Sequence, residues 1–193
     1  KMSECLSCLD LFQNGQYNDR KLQIEVDQNF PEFLCENEKC SSKSPGIIEH
    51  EENLAFLLIE PIHFDDQTGL IAPDAFQEIT NRDLSLLRKK HCTSKIASET
   101  KDKLSTARLP DQHRYIDKVC LTKAAKIREI LHEDKRVMGI YDTALEDNPS
   151  HASIFTTAEM LSTKPRRRQI RRICHKLLTQ EVCDFSTFAA QLP

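Results

Sequence analysis

Four cysteines lie within the first 40 residues, and their spacing limits the folds open to this chain more than any other feature. Cys5 and Cys8 form a C-x-x-C pair, and Cys35 and Cys40 form a C-x4-C pair. Two thiolates on one tight turn can bind one side of a tetrahedral ion, and a second turn brought alongside completes the four ligands. The spacing therefore predicts a structural Zn2+ (zinc) site at Cys5, Cys8, Cys35 and Cys40.

The segment between the two cysteine pairs favours the same interpretation. Leu22, Ile24 and Val26 alternate with polar residues, which is typical of a half-buried strand. With one cysteine turn before it and one after it, this strand predicts a zinc-ribbon-like lobe over residues 1–46. Four protein ligands leave no open position, so we expect the ion to stabilise the fold rather than to catalyse a reaction.

Other uses of these cysteines remain open from the sequence alone. Four thiolates also suit an iron–sulfur cluster, the thiols can instead be free or redox-active, and His50 can replace one ligand. No stretch approaches the roughly 18 apolar residues of a membrane span, and the first residues have no apolar signal core. We therefore expect a cytoplasmic protein in a reducing compartment, without membrane contact.

The rest of the chain predicts a mixed α+β domain over residues 47–193. The apolar run at residues 53–64 predicts a buried strand, and residues 136–145 predict another. The clearest helix is expected within residues 115–135, because good helix formers surround an apolar stripe there. A short helix is expected within residues 80–90, where an acid in the first turn suits the helix dipole.

A basic segment near the end of the chain is the strongest functional signal. Residues 164–176 contain seven cations and no acid. As a helix over residues 165–180, the segment has one apolar face and one positive face. With no acid three or four residues away, arginine repulsion favours an anionic partner, and arginine suits phosphate. The predicted phosphate contacts are Arg166, Arg167, Arg168, Arg171, Arg172 and Lys176.

This basic face leaves two other interpretations open. It can bind an acidic protein surface, or it can be a solvated face without a partner. Arginines paired with acids from elsewhere in the fold would favour the second interpretation. The net charge of −3 shows only that the whole chain is not a polycation.

Residues 57–154 contain short segments that resemble, in the same order, those of a set of uncharacterised bacterial proteins. These segments are an IHP-like start, an SxAF-like piece, a DLSVxR-like piece and a DNPAHA-like turn. The resemblance implies a bacterial source and carries no activity with it. The chain departs from the pattern at Phe64, Ala72, Pro73 and Ser150. The matching residues are Ile62, His63, Gly69, Ala75, Phe76, Asp83, Leu84, Ser85, Arg88, Asp147, Asn148, Pro149, His151 and Ala152.

Three polar residues within these segments are candidates for a catalytic pocket: His63, Arg88 and His151. If they converge, the histidines can act as acid or base and the arginine can hold an anion. Such a pocket suits an enzyme that acts on a nucleotide or nucleic acid. A structural role, in which a histidine fixes a turn or Arg88 closes an ion pair, is the alternative.

Familiar catalytic motifs do not support an enzyme. The sequence contains no Gly-rich phosphate loop, nucleophile elbow or His-Glu-x-x-His helix. We therefore expect a zinc-stabilised subunit that binds nucleic acid or joins a complex, rather than an enzyme. A protein-interaction subunit of a bacterial multiprotein system is the further alternative.

Overall fold

The computed structural model describes residues 7–14, 20–106 and 113–193. Six strands of this part of the chain form one antiparallel sheet, and two short strands form a separate hairpin. The strands are β1 Asn53–Glu60, β2 Leu84–Arg88, β3 Tyr115–Lys123, β4 Leu131–His132, β5 Lys135–Arg136, β6 Met138–Tyr141, β7 His151–Thr156 and β8 Val182–Asp184. The order in the sheet is β6-β7-β2-β1-β3-β8, and β4 pairs with β5.

Helices lie on both faces of this sheet, so the predicted mixture of helix and strand is confirmed. Three further segments form 3₁₀ helices, at Pro31–Asn37, Pro73–Thr80 and Lys89–His91. The α-helices are α1 Cys8–Asn14, α2 Lys21–Asn29, α3 Ser94–Ser105, α4 Ala124–Arg128, α5 Ala158–Leu161, α6 Lys164–Leu178 and α7 Phe185–Ala189.

The two faces of the sheet are covered differently. Side chains alternate between faces along a strand, so Leu84 and Leu86 of β2 pack in the large cluster that contains the apolar side of α6. Leu87 points the other way and packs with residues of α3 and α7. Farther along that second face, Phe155 packs in a cluster with residues of α1 and α2. The second face is therefore covered by two separate groups of helices.

Helix α2 replaces the strand that the sequence predicts between the cysteine pairs. Leu22, Gln23 and Val26 are its buried residues, and this spacing follows one face of a helix. Leu22 and Val26 fit both periodicities, because they are four residues apart. The prediction of a ribbon strand is therefore wrong, and a zinc-ribbon-like lobe is not seen in the described part of residues 1–46.

Two predicted helices are largely strands. Residues 115–123 form β3, and only Ala124–Arg128 of the expected long helix is helical. Strand β3 pairs with β1 along most of its length and with β8 on its other edge. The segment 80–90, which was expected to contain a short helix, instead contains strand β2, which lies between β1 and β7. Central positions in the sheet override the local preference for helix in both segments.

The predicted strand at residues 53–64 and the predicted basic helix are both found. Helix α6 begins after Thr163, whose hydroxyl accepts a hydrogen bond from the Arg166 amide at 3.4 Å. Its buried side chains include Ile170 and Cys174, which pack against the sheet. Within the described ranges, no helix combines the length and the apolar character that crossing a membrane requires.

Candidate functional site

Two of the four predicted zinc ligands are joined to each other. Cys8 and Cys35 form a disulfide with a Cα–Cα distance of 5.6 Å. Cysteines bonded in this way have no thiolate to offer to a metal ion. Cys5 lies outside the described residues, and the described residues contain no group of three or more His, Cys, Asp and Glu side chains placed to hold a metal.

Cys40, the fourth predicted ligand, is a buried free thiol close to this disulfide. Its sulfur donates to the Cys35 carbonyl oxygen at 3.3 Å. Burial, and then the negative charges of Asp142 and Glu38, raise the pKa of the Cys40 thiol and disfavour the thiolate that zinc needs. The arrangement seen here does not fit a zinc ion, and the zinc site stays a prediction for the reduced protein.

Arg88 does not belong to the predicted pocket. Its guanidinium is 1% exposed and donates to both carboxylate oxygens of Glu52, at 2.6 and 2.9 Å. It also donates to the Gly46 carbonyl oxygen at 2.6 Å and lies 3.1 Å from a carboxylate oxygen of Asp142. These contacts use its donors inside the fold. Arg88 therefore has the structural ion-pair role, and its predicted part in an anion-binding pocket is wrong.

His63 and His151 do line one cavity, of about 270 Å³. The cavity lies beneath α3, mainly on the second face of the sheet, and Phe56 and Ala75 of the cluster on the first face also line it. A second cavity, of about 430 Å³, lies on the side of α1. Arg82, Asp83 and Ser85 line both cavities, together with Leu145 and His151. Ser85 is exposed although β2 is a central strand, because the two groups of helices leave the sheet uncovered between them.

His63 closes the edge of β1 where that strand diverges from β2. Pairing between the two strands is recorded only at Leu54 with Arg88 and Ala55 with Leu87. Beyond it, the Ile59 amide donates to Nδ1 of His63 at 3.0 Å. Burial, and then the positive charge of Arg114, lower the pKa of His63 to about 4. His63 is therefore neutral at pH 7 and stabilises the wall of the cavity.

Hydroxyl groups link His151 to Asp83, two of the residues that line the cavity. Nδ1 of His151 lies 2.9 Å from the Thr143 hydroxyl, which lies 2.8 Å from the Ser153 hydroxyl. Ser153 donates to Oδ2 of Asp83 at 2.6 Å, and Ser85 donates to the same oxygen at 3.4 Å. The network therefore joins strands β2 and β7, whose Ser85 and Ser153 are direct cross-strand partners.

The protonation state of His151 follows from its partners. Nδ1 also lies 3.0 Å from the Thr143 carbonyl oxygen, which can only accept, so Nδ1 carries the proton. Burial lowers the pKa of His151, although the charge of Asp83 acts in the opposite direction. The neutral ring therefore has its lone pair on Nε2, where it can accept a hydrogen bond or act as a base.

The four short segments between residues 57 and 154 from which a family resemblance was predicted meet at this cavity. His63 and Ala75, Asp83 and Ser85, and Asn148 all line it. Sequence reasoning treated Asp83 as an acid in the first turn of a helix and missed it as a site residue. The spacing of Asp83, Ser85 and Leu87 would place all three on one face of a strand, but Leu84 and Leu86 beside them are also apolar, so the segment does not alternate clearly.

The basic helix has two classes of cation. Three of the predicted residues have partners inside the fold: Arg166 pairs with Glu159, Arg167 donates to the Leu161 carbonyl oxygen at 2.7 Å, and Arg171 pairs with Asp74 at 2.5 Å. Those acids come from outside residues 164–176. The remaining cations are exposed, and no ion pair to them is found among the described residues; they are Lys164, Arg168, Arg172 and Lys176.

We call Lys164, Arg168, Arg172 and Lys176 the basic stripe. Its members are four residues apart and therefore form a row that winds gradually around the helix, with a rise of about 6 Å between neighbours. The stripe is about 18 Å long. Lys164 was not among the predicted phosphate contacts, although it extends the same spacing by one turn.

Comparison of the chain with models of protein families, with curated proteins and with solved structures finds no match. Function therefore has to be inferred from the geometry of this chain alone.

Proposed function

We propose that this protein binds nucleic acid through the basic stripe on α6. The observation that carries the proposal is the separation of the helix cations into two classes. The fold supplies partners for Arg166, Arg167 and Arg171, whereas the four stripe residues are exposed and unpaired within the described ranges. A face that served only for solvation would not need four aligned cations without acids between them.

The stripe also matches the size of a phosphate backbone. One strand of duplex DNA carries a phosphate for about every 3.4 Å along the axis, so a stripe of about 18 Å spans about five nucleotides of one strand. Arginine and lysine side chains are long enough to adjust to a backbone that is not parallel to the helix. The same spacing suits the backbone of RNA.

The position of the cations supports an anionic partner as well. Lys164 is the first residue of α6, where the helix dipole is already positive, and no acid lies in the first turn. Cations at this end destabilise a helix, and like charges four residues apart destabilise it further. Bound phosphates would relieve both effects, because helix amino ends bind anions favourably.

Charge reversal within the stripe tests this proposal. We expect Arg168→Glu with Arg172→Glu to weaken binding to a fluorescent 20-base-pair duplex by at least about 100-fold at fixed salt, since two attractive contacts become repulsive. The matched control is Lys39→Glu with Lys95→Glu, which changes the net charge equally at exposed positions away from α6.

Binding measured by fluorescence anisotropy should be nearly unchanged in the control. Equal losses of affinity in the two double variants would show that net charge alone matters, and would refute the proposal that the basic stripe binds nucleic acid. Absence of binding to both duplex DNA and single-stranded RNA would refute nucleic acid as the partner, and binding to an acidic protein would then be the remaining alternative.

The structural zinc ion is a separate proposal, which rests on the C-x-x-C and C-x4-C spacings and requires that the Cys8–Cys35 disulfide be reduced. Elemental analysis of protein purified with a reducing agent tests it. One zinc per chain, lost on substitution of Cys40 by Ser, is the expected result. Zinc-free reduced protein that remains folded would contradict it.

A further inference from the structure

Asp83 is a buried carboxylate without a cationic partner among the described residues. Its residue is 7% exposed, and the hydrogen bonds to its side chain come from the hydroxyls of Ser153 and Ser85. Burial of a carboxylate is unfavourable unless a positive charge or several donors compensate it. One short hydrogen bond from Ser153 and one long hydrogen bond from Ser85 leave the charge of Asp83 largely uncompensated.

The cations nearest in the cavity lining are already paired with other acids. Arg82 donates to Glu78 at 2.6 Å, and Lys103 pairs with Asp147. Within each pair, the positive charge of the base neutralises the negative charge of the acid. Glu99 lies 3.8 Å from Lys95, so of the acids in the lining Asp83 is the one for which no cationic partner is found among the described residues.

His151, which also lines the cavity, offers a second acceptor. His151 uses its protonated Nδ1 toward Thr143, and no partner for Nε2 is recorded among the residues that the structure describes. Asp83 and His151 therefore offer acceptors. A ligand that fits them must bring donors, and a positive charge would compensate Asp83.

Apolar side chains form a large part of the rest of the lining of the cavity, beside polar residues such as Thr100 and Asn148. Leu57, Leu87, Ile96 and Leu104 are among its lining residues. Its volume of about 270 Å³ is close to the lower limit of about 300 Å³ for small-molecule sites. One aromatic ring with a short polar group has a suitable size.

We propose that this cavity binds a small organic cation, an amine or amidine with an apolar body, whose charged group donates to Asp83. The apolar body lies beneath α3, against Leu57, Leu87 and Ile96. None of the basic-stripe residues lines this site, and the proposal is independent of nucleic-acid binding.

Benzamidine and benzylamine are the probes, and benzamide and benzyl alcohol are their neutral counterparts. Titrations of the full chain, followed by changes in protein NMR spectra, give the affinities. We expect each cation to bind at least about tenfold more tightly than its neutral counterpart, since a charged pair replaces a neutral hydrogen bond. Absence of binding by both cations, or equal affinity within each pair, would overturn the proposal.

Two variants locate the site, and one variant is the matched control. Asp83→Asn keeps an acceptor oxygen for Ser153 and should remove the preference for the cation. Thr100→Trp, on α3, should block the cavity without altering Asp83. Glu99→Gln removes one negative charge from an exposed position of the same lining and should change the affinity by less than about twofold.

The comparisons between variants decide the result even if one variant folds poorly. Cation binding that survives in folded Thr100→Trp would place the probe elsewhere. Equal losses in Asp83→Asn and Glu99→Gln would show a general effect of charge rather than a site at Asp83. Either result would overturn the proposal.

Discussion

Replacement of Arg88 by methionine is expected to destabilise the fold strongly. Arg88 donates to both oxygens of Glu52 and to the carbonyl oxygens of Gly46 and Ile47. Its side chain and that of Glu52 are each 1% exposed. Methionine has a similar length and no charge, so the substitution leaves two buried carboxylates, Glu52 and Asp142, without their cation.

The magnitude follows from this burial. Removal of one partner from a buried ion pair costs about 3–5 kcal/mol, because the other charge stays buried and uncompensated. For a chain of this size each kcal/mol lowers the melting temperature by about 2–4 °C. We therefore expect Arg88→Met to melt about 6–20 °C below the unsubstituted protein.

Urea denaturation and thermal melts measure this loss, and a neighbouring surface pair is the control. Lys90 pairs with Glu49 at 2.7 Å, but both side chains are more than half exposed, so Lys90→Met should cost less than about 1 kcal/mol. The double variant Arg88→Met with Glu52→Gln should lose less than the sum of the two single losses, because it removes both charges. A loss below about 1 kcal/mol for Arg88→Met would refute the reasoning.

Three other perturbations test separate parts of the fold. Reduction of the Cys8–Cys35 disulfide, which joins cysteines 27 residues apart, should cost about 3.5 kcal/mol in urea melts by the chain-entropy relation; no loss on reduction in the absence of metal would contradict this. Burial lowers the pKa of His63 to about 4, below the value of about 6.5 in an unfolded chain. The unfolded state therefore binds the proton more readily, and stability that is complete above about pH 6.5 should fall toward pH 4. Melts of His63→Gln should show a smaller fall, and an unchanged pH profile would contradict the assignment. Gln23→Leu should cost about 2–4 kcal/mol, because it removes partners from two buried backbone groups, Ile79 O and Thr156 N; a loss under about 1 kcal/mol would show that they are satisfied otherwise.

The sequence was most informative where one periodicity was clear. The apolar run beginning at Asn53 was correctly predicted as β1, and the spacing of Ile170, Cys174 and Leu177 was correctly predicted as the buried side of α6. It was misleading where two periodicities fitted. Leu22 and Val26 suit a strand or a helix, and only the fold decides for α2.

Tertiary position decided the elements that were predicted wrongly. The good helix formers after Leu121 form only the short α4, because residues 115–123 lie between β1 and β8. Strand β2 shows no clear alternation, since Leu84, Leu86 and Leu87 are all buried. A short segment that is mostly apolar, as Leu84–Leu87 is, does not distinguish a short helix from a central strand.

The candidate pocket was only partly predictable, because several of its contacts join residues that are distant in sequence. The convergence of His63 and His151 was predicted and is found. Arg88 was misplaced, because its neighbours Glu52 and Asp142 are distant in sequence. Asp83 was missed, because its partner Ser153 lies 70 residues away and only the pairing of β2 with β7 brings them together.

The dependence of nucleic-acid affinity on salt tests the central claim most directly. Four phosphate contacts through the basic stripe predict a slope of about −3.6 for the logarithm of the binding constant of duplex DNA against the logarithm of salt concentration. This slope corresponds to about a 150-fold loss of affinity between 50 and 200 mM salt. The double variant of Arg168 and Arg172 should lower the slope to about −1.8. A slope near zero, or one that the double variant leaves unchanged, would contradict the account.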